Sequence, residues 1–220
     1  MKKLYVSICL LILVAAIATE IYFLAQNELK AEDFEVLAIL ADGFDYMELH
    51  GFNSTLAREG IKMTTASFTA NEISGSFPDF RGYKPDITFD EVGVSLYDVV
   101  FIPGGSGPEN IISHPDKQKV FDILTQAHNE GKVIAAICHG PWVLAAANLL
   151  NVTDVTCFND PDMIIDLINS GATVDTSQSV TRDKNIITAF GPQDVDAFAE
   201  EIISVLIEKH GLLAHTHTLC

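Results

Sequence analysis

Basic residues are scarce in this sequence. The 220 residues include 13 Lys and Arg against 30 Asp and Glu, which gives a formal net charge of -17 at pH 7. Proteins that bind nucleic acids or anionic membrane surfaces concentrate Lys and Arg instead. The composition therefore excludes nucleic acid as a partner class and indicates an acidic, well-solvated surface.

Cysteine is also rare, and its number does not suit a disulfide scaffold. The sequence has 4 cysteines, of which Cys9 belongs to an apolar N-terminal segment, so that Cys138, Cys157 and Cys220 remain. An odd number of cysteines is a poor disulfide framework. A free functional thiol is favoured.

A clustered metal motif is lacking as well. His210, His215, His217 and Cys220 are ligand-type residues, but a His-x-His pair near a chain terminus is not a preformed metal site. We expect no metal site and no other cofactor.

The chain has little room for a second domain. With 220 residues and 48% apolar content, one sizeable α/β domain accounts for nearly all of it. The sequence predicts an N-terminal signal or anchor with a short linker over 1–33, one domain over 34–209 and a flexible tail over 210–220.

The only long apolar run is at the N-terminus. Residues 4–18 follow two lysines and end in an Ala-x-Ala site, as secretory signals do. The apolar stretch then resumes as far as Ala25, long enough to span a bilayer if Glu20 is tolerated. A cleaved signal and an uncleaved membrane anchor both remain open, and both predict that the domain is exported from the cytoplasm.

Apolar runs alternate with amphipathic stretches through the rest of the chain. Such alternation predicts a mainly parallel sheet with helices on both faces. The patterns indicate strands over 35–40, 61–67, 86–89, 98–102, 133–137 and 153–158 and two more within 173–189, with helices over 44–59, 117–130, 161–170 and 194–208. In the first helix, Met47, Phe52 and Leu56 are spaced for an inner face.

The stretch around Cys138 carries the clearest chemical signal. An apolar run ends at Cys138 and is followed by Gly140, Pro141 and an alanine-rich helical stretch. Small residues on both sides of the cysteine suit a tight strand-to-helix turn that presents one side chain. The positive end of the following helix favours thiolate, which is the reactive form. The sequence therefore predicts a cysteine nucleophile.

Three segments resemble the signatures of the ThiJ/PfpI superfamily. They are Ala136-Ile137-Cys138-His139-Gly140-Pro141, Phe101-Ile102-Pro103-Gly104-Gly105, and Glu48 within Gly43-Phe44-Asp45-Tyr46-Met47-Glu48-Leu49. The resemblance implies a flavodoxin-like three-layer sandwich, related to the class I glutamine amidotransferase fold, with the cysteine at a nucleophile elbow. It also implies a homodimer or a larger homo-oligomer.

The resemblance assigns roles to further residues. Glu48 corresponds to an acid that lies against the cysteine sulfur, where an apolar pocket would keep it protonated. His139 corresponds to the proposed base of PfpI-type peptidases, and Glu109 to a glutamate that orients this base from a neighbouring subunit. The backbone N–H groups of Gly105 and His139 are candidates for an oxyanion hole.

Two positions depart from the superfamily pattern. Phe158 stands where related proteins often have a histidine or tyrosine, and Phe190 where many have an arginine. The chain also lacks the downstream His-x-Glu pair of amidotransferases. We therefore expect an apolar pocket wall and no amidotransferase chemistry.

Three functions remain open at this point. The first is a PfpI-like peptidase or amide hydrolase, supported by His139 and Glu109, and the sequence favours it. The second is a cofactor-independent glyoxalase or deglycase acting on reactive aldehydes, supported by Glu48 beside Cys138. The third is a non-enzymatic, redox-sensing or chaperone-like stress protein with an oxidisable thiol.

Overall fold

The computed structural model describes residues 31–76 and 80–216, without the side chains of 31 and 210–216. Residues 31–209 form one compact unit. Three strands of that unit, β1, β6 and β7, are fully or almost fully buried, as expected for the centre of a parallel sheet. The strands are β1 Glu35–Ile39, β2 Lys62–Ser67, β3 Ile73–Ser74, β4 Gly82–Tyr83, β5 Ile87–Thr88, β6 Val99–Ile102, β7 Val133–Ile137, β8 Asp154–Val155, β9 Thr173–Val174, β10 Val180–Asp183 and β11 Ile186–Ala189.

Seven strands form the main sheet in the order β10-β11-β7-β6-β1-β2-β5. All neighbours in it are parallel except β10 and β11. The carboxyl ends of β11, β7, β6 and β1 therefore lie side by side at one edge of the sheet. This is the edge at which open α/β sheets bind ligands, and it confirms the predicted flavodoxin-like fold.

Helices cover both faces of the sheet. They are α1 Tyr46–Arg58, α2 Gly107–Ser113, α3 Gln118–Asn129, α4 Pro141–Ala146, α5 Pro161–Asn169 and α6 Val195–Thr216. Alternate strand residues point to opposite faces. Ile134 of β7 thus packs in the core with α2, α3, α4 and α5, whereas its neighbour Ala135 packs in the core with α1 and α6.

Helix α1 buries a different set of residues from the one predicted. Phe52 and Leu56 are buried as expected, but Met47 is 60% exposed and Glu48 is fully buried. Asp45 caps the helix by accepting hydrogen bonds from the N–H groups of Met47 and Glu48, and this cap sets where the helix begins. The spacing of apolar residues predicted that Met47 faces the core. Such spacing does not reveal a buried partner for the Glu48 carboxyl group.

The remaining strands are shorter than the sequence patterns suggested. Within 153–158 only Asp154–Val155 forms a strand, since its parallel partner β9 has just two residues. The segment between β2 and β5, for which the sequence patterns indicated no strand, contains the antiparallel pair β3 and β4. Helix α6 continues to Thr216, where a tail was predicted from residue 210.

The predicted export of the domain, through a signal peptide or a membrane anchor, is corrected. Within residues 31–76 and 80–216, no helix is long and apolar enough to cross a membrane. The longest of these helices, α6, carries acidic residues from its first turn onward, and charged side chains are costly in a bilayer. The apolar stretch over 4–25, which prompted the prediction, lies outside the described residues.

Candidate active site

Cys138 occupies a sharp turn between β7 and α4. Its φ of 60° lies in the left-handed region, which residues other than glycine rarely adopt and which marks functional turns. The Cys138 N–H donates to Ala189 O at 3.0 Å, and the Phe158 N–H donates to Cys138 O at 3.1 Å. The chain on both sides thus fixes the cysteine backbone.

Gly140 allows this turn to form. A Cβ atom at this position would lie 2.5 Å from Ile102 O and 2.9 Å from Ile137 O, both backbone atoms. Only glycine permits this close approach. The predicted nucleophile elbow is therefore the observed turn, with Pro141 as the first residue of α4.

The Cys138 thiol is largely shielded from water, with 7% of the residue exposed. Burial and the neighbouring Glu48 carboxylate raise the thiol pKa, whereas hydrogen bonds from the Gly105 and His139 N–H groups lower it. The helix that was predicted to favour thiolate therefore acts against a strong desolvation effect. The two N–H groups point at the sulfur, as donors of an oxyanion hole would.

Glu48 lies beside this sulfur and is fully buried. The Gly104 N–H donates to its Oε2 atom at 2.6 Å. Burial, reinforced by Asp45, raises the Glu48 pKa to about 8. At neutral pH the carboxyl group therefore keeps its proton, which removes its repulsion of a Cys138 thiolate.

Gly104 lies next to the Cys138 thiol and the Glu48 carboxyl group and leaves space for both. A Cβ atom there would lie 2.6 Å from Cys138 Cβ and 3.0 Å from both Cys138 Sγ and Glu48 Oε2. Any larger residue would push the thiol or the carboxyl group aside. The Pro-Gly-Gly motif thus holds the acid against the sulfur.

His139 lies on the open side of the thiol. Its Nδ1 atom is 3.3 Å from Cys138 Sγ, and its Nε2 atom is 3.8 Å from Asp160 Oδ2. The other carboxyl oxygen of Asp160 accepts the N–H groups of Asp162 and Met163 as the cap of α5. His139 therefore lies between the Cys138 thiol and the Asp160 carboxylate, the order of groups found around activated nucleophiles, and the 3.8 Å to Asp160 is an ion-pair distance and not a hydrogen bond.

Sequence reasoning missed Asp160. Its only visible signal was an aspartate immediately before Pro161 at a helix start, which is typical of an N-cap. Glu109, the acid expected to orient His139, is exposed in the first turn of α2. The resemblance assigns Glu109 to His139 of a neighbouring subunit, and that role stays a prediction.

Aromatic rings continue the wall of the site beyond His139. The centroids of His139 and Phe158 are 5.2 Å apart, and those of Phe158 and Phe190 are 5.8 Å apart. Phe158 is 41% exposed. Two phenylalanines thus stand at the positions where the superfamily pattern has polar residues.

Cys157 does not belong to this site. Its side chain lies in the core with α2, α3, α4 and α5, whereas that of Cys138 lies in the core with α1 and α6. Both thiols are free. Burial, followed by the Asp160 carboxylate, raises the Cys157 pKa to about 12.

The side chains that the structure describes include no group of three or more His, Cys, Asp or Glu able to hold a metal ion. The histidines at 210, 215 and 217 and Cys220 lie outside that set. The site as described therefore consists of a thiol, two carboxyl groups, an imidazole and backbone N–H groups.

Known proteins match both the sequence and the fold. A model of the DJ-1/PfpI family matches residues 34–205. A deglycase of Pyrococcus horikoshii and the deglycase PfpI of Pyrococcus furiosus are each 32% identical over 174 residues, which is 78% of this chain and 99% of each relative. The crystal structure of DJ-1beta from Drosophila melanogaster has a TM-score of 0.71 at 30% identity and covers 82% of this chain and 98% of that chain.

Proposed function

Because this chain belongs to the DJ-1/PfpI family, we propose that it is a cysteine-dependent enzyme of the deglycase or glyoxalase type that acts on reactive aldehydes. Family membership bears out the resemblance seen in the three sequence motifs. The sequence alone had favoured a peptidase. The names of the two Pyrococcus relatives support the alternative, since both are deglycases.

The observation that carries this proposal is the pairing of Glu48 with Cys138. A carboxyl group whose pKa is about 8 is partly protonated near neutral pH and can both donate and accept a proton. It lies next to the Cys138 sulfur, since a Cβ atom at Gly104 would be 3.0 Å from both the sulfur and Glu48 Oε2. Proton transfer between two carbon atoms needs such an acid–base group beside the sulfur.

The proposed reaction begins when Cys138 Sγ adds to the aldehyde carbon of an α-oxoaldehyde. The thiol proton passes to the carbonyl oxygen, which the Gly105 and His139 N–H groups bind, and a hemithioacetal forms. When the carbonyl is instead bound to an amine as a hemiaminal, the thiol displaces the amine, which leaves with the proton. Both routes give the same sulfur adduct.

Glu48 then moves a proton from the first carbon to the second, while the hydroxyl proton of the hemithioacetal passes to the ketone oxygen. The first carbon is oxidised to the level of a thioester, and the neighbouring ketone is reduced to an alcohol. Water, activated by His139 with Asp160, cleaves the thioester to a 2-hydroxy acid and regenerates the thiol. The oxidation and reduction balance within the substrate, so no external oxidant or cofactor is consumed.

The test compares the wild-type protein with Cys138→Ser on methylglyoxal, with lactate release as the readout. Cys157→Ala is the matched control because that thiol lies in the other core. We expect lactate from the wild type and from Cys157→Ala, and none above background from Cys138→Ser. Equal lactate release by Cys138→Ser would overturn the proposal.

A peptidase remains the second candidate, because Cys138, His139 and Asp160 are aligned as in cysteine hydrolases. The same three proteins are therefore incubated with a peptide library. Cleavage that depends on Cys138, in the absence of lactate release, would favour the hydrolase.

A further inference from the structure

Two phenylalanines flank the nucleophile: Phe158 is hydrogen-bonded to the backbone of Cys138, and Phe190 follows a residue that is. The Phe158 N–H donates directly to Cys138 O at 3.1 Å, and Phe190 follows Ala189, whose carbonyl oxygen accepts the Cys138 N–H at 3.0 Å. We refer to the rings of Phe158 and Phe190 as the aromatic shelf. Because its backbone is bonded to that of Cys138, the shelf keeps a fixed position relative to the sulfur.

The shelf is open to solvent next to a buried thiol. Phe158 is 41% exposed, while the Phe158 ring contacts those of His139 and Phe190 at centroid distances of 5.2 and 5.8 Å. Exposed aromatic surface beside a reactive group provides a binding face for apolar or aromatic groups. The exposed surface of Phe158 therefore lies beside His139, whose Nδ1 atom contacts the thiol.

The charge near the shelf points to an uncharged ligand. The charged group in contact with His139 is the Asp160 carboxylate, which is close in sequence to Phe158, and the whole chain has a net charge of -17. A second anionic group on the substrate would be repelled there. An aromatic substituent can instead stack on the shelf in an offset or edge-to-face arrangement.

We propose that the enzyme prefers α-oxoaldehydes whose non-reacting end is an aryl group, and that Phe158 and Phe190 bind that group. This inference rests on the proposed function and specifies its substrate class. An aryl group on the ketone carbon starts only two bonds, about 2.5 Å, from the aldehyde carbon attacked by Cys138. His139 spans the interval between the sulfur and the shelf.

Turnover of phenylglyoxal and methylglyoxal measures this preference. We expect the ratio of kcat/KM for phenylglyoxal to that for methylglyoxal to fall by about tenfold in Phe158→Ala, since an aromatic contact contributes about that factor. Phe158→Tyr should keep the ratio. Leu96→Ala, which removes another exposed apolar side chain, is the control and should leave it unchanged.

An unchanged ratio in Phe158→Ala would overturn the inference, as would a higher kcat/KM for methylglyoxal than for phenylglyoxal in the wild type. Both results leave the proposed function intact if methylglyoxal is still converted to lactate.

A second measurement does not depend on turnover. The rates at which N-phenylmaleimide and N-methylmaleimide label Cys138 are compared by peptide mass spectrometry, in the wild type and in Phe158→Ala. We expect the phenyl reagent to lose its relative advantage in the variant. If no α-oxoaldehyde is converted but this advantage is lost, the shelf binds aryl groups and only the proposed reaction fails. An equal ratio of labelling rates in both proteins would contradict the proposal that the aromatic shelf binds aryl groups.

Discussion

Cys138 and Glu48 share one buried space beside Gly104, and neither can ionise without affecting the other. Burial raises the pKa of both groups, and each negative charge disfavours the second. The pair therefore carries at most one negative charge near neutral pH. The two N–H groups directed at the sulfur lower the Cys138 pKa, but burial and the Glu48 charge outweigh them.

This arrangement predicts a particular pH dependence of stability. The Glu48 pKa is 4.5 when unperturbed and about 8 in the folded protein, so between these values the folded state binds a proton that the unfolded state has lost. Stability that is complete below pH 4.5 is then lost as the pH rises through 8, by up to about 1.4 kcal/mol per pH unit. Glu48→Gln, which stays neutral and can still accept the Gly104 N–H, should be free of this loss.

Urea unfolding at pH 5, 6, 7 and 8 measures the effect as the difference between the wild type and Glu48→Gln. The variant should gain stability relative to the wild type at each step. Glu109→Gln, at an exposed position, is the control and should show no such trend. If the stability difference between Glu48→Gln and the wild type were constant with pH, Glu48 would have its ordinary pKa in the folded protein.

At the scale of the element, one side chain at the start of α5, that of Asp160, has two roles. Asp160 caps the helix through Oδ1 and meets His139 through Oδ2. The cap fixes the position of the carboxylate, because moving it would leave helix N–H groups without acceptors. The local requirement of a helix thus places a charged group next to the base.

Substitutions at Asp160 separate these two tasks. Asparagine caps helices as well as aspartate does, so Asp160→Asn should keep the stability of the wild type to within a few tenths of a kcal/mol. It removes the charge that orients His139, and we expect kcat/KM to fall about tenfold or more. Asp160→Ala should lose the same activity and about 1 kcal/mol of stability in addition.

Thermal unfolding and methylglyoxal turnover of both variants check this prediction. Full activity in Asp160→Asn would mean that the carboxylate has no part in the reaction beyond capping α5.

At the scale of the whole molecule, the question is whether one chain holds a complete site. The resemblance implied an oligomer in which Glu109 of a neighbouring subunit orients His139, and oligomerisation stays a prediction. In the structure a carboxylate of the same chain, Asp160, lies near His139. We therefore propose that assembly is not required for catalysis.

Dilution tests this point. Activity per chain on methylglyoxal should stay constant from micromolar to low nanomolar protein, while light scattering or sedimentation follows any change in oligomeric state. Glu109→Gln should also stay active. Loss of turnover on dissociation, together with an inactive Glu109→Gln, would restore the shared site.

The sequence by itself determined the sheet, most of the helices and the turn at Cys138. These features follow from local chemistry: hydrophobic periodicity sets the element type, and Gly140 and Pro141 allow a strand to turn into a helix at one cysteine. The order of strands and helices then required a parallel sheet whose carboxyl ends meet at one edge. The motifs were sufficient to place Glu48, Gly105 and His139 at that edge.

Only the tertiary structure decided which groups contact one another there. Asp160 reaches His139, and Phe158 with Phe190 forms the open side of the site, because the chain after β8 passes over the end of β7 and the neighbouring strand β11 ends next to Cys138. The exposure of Met47, which the apolar pattern had placed on the inner face of α1, also became visible only in the structure. Such contacts join residues that are distant along the chain, and neither periodicity nor a motif specifies the distance between them.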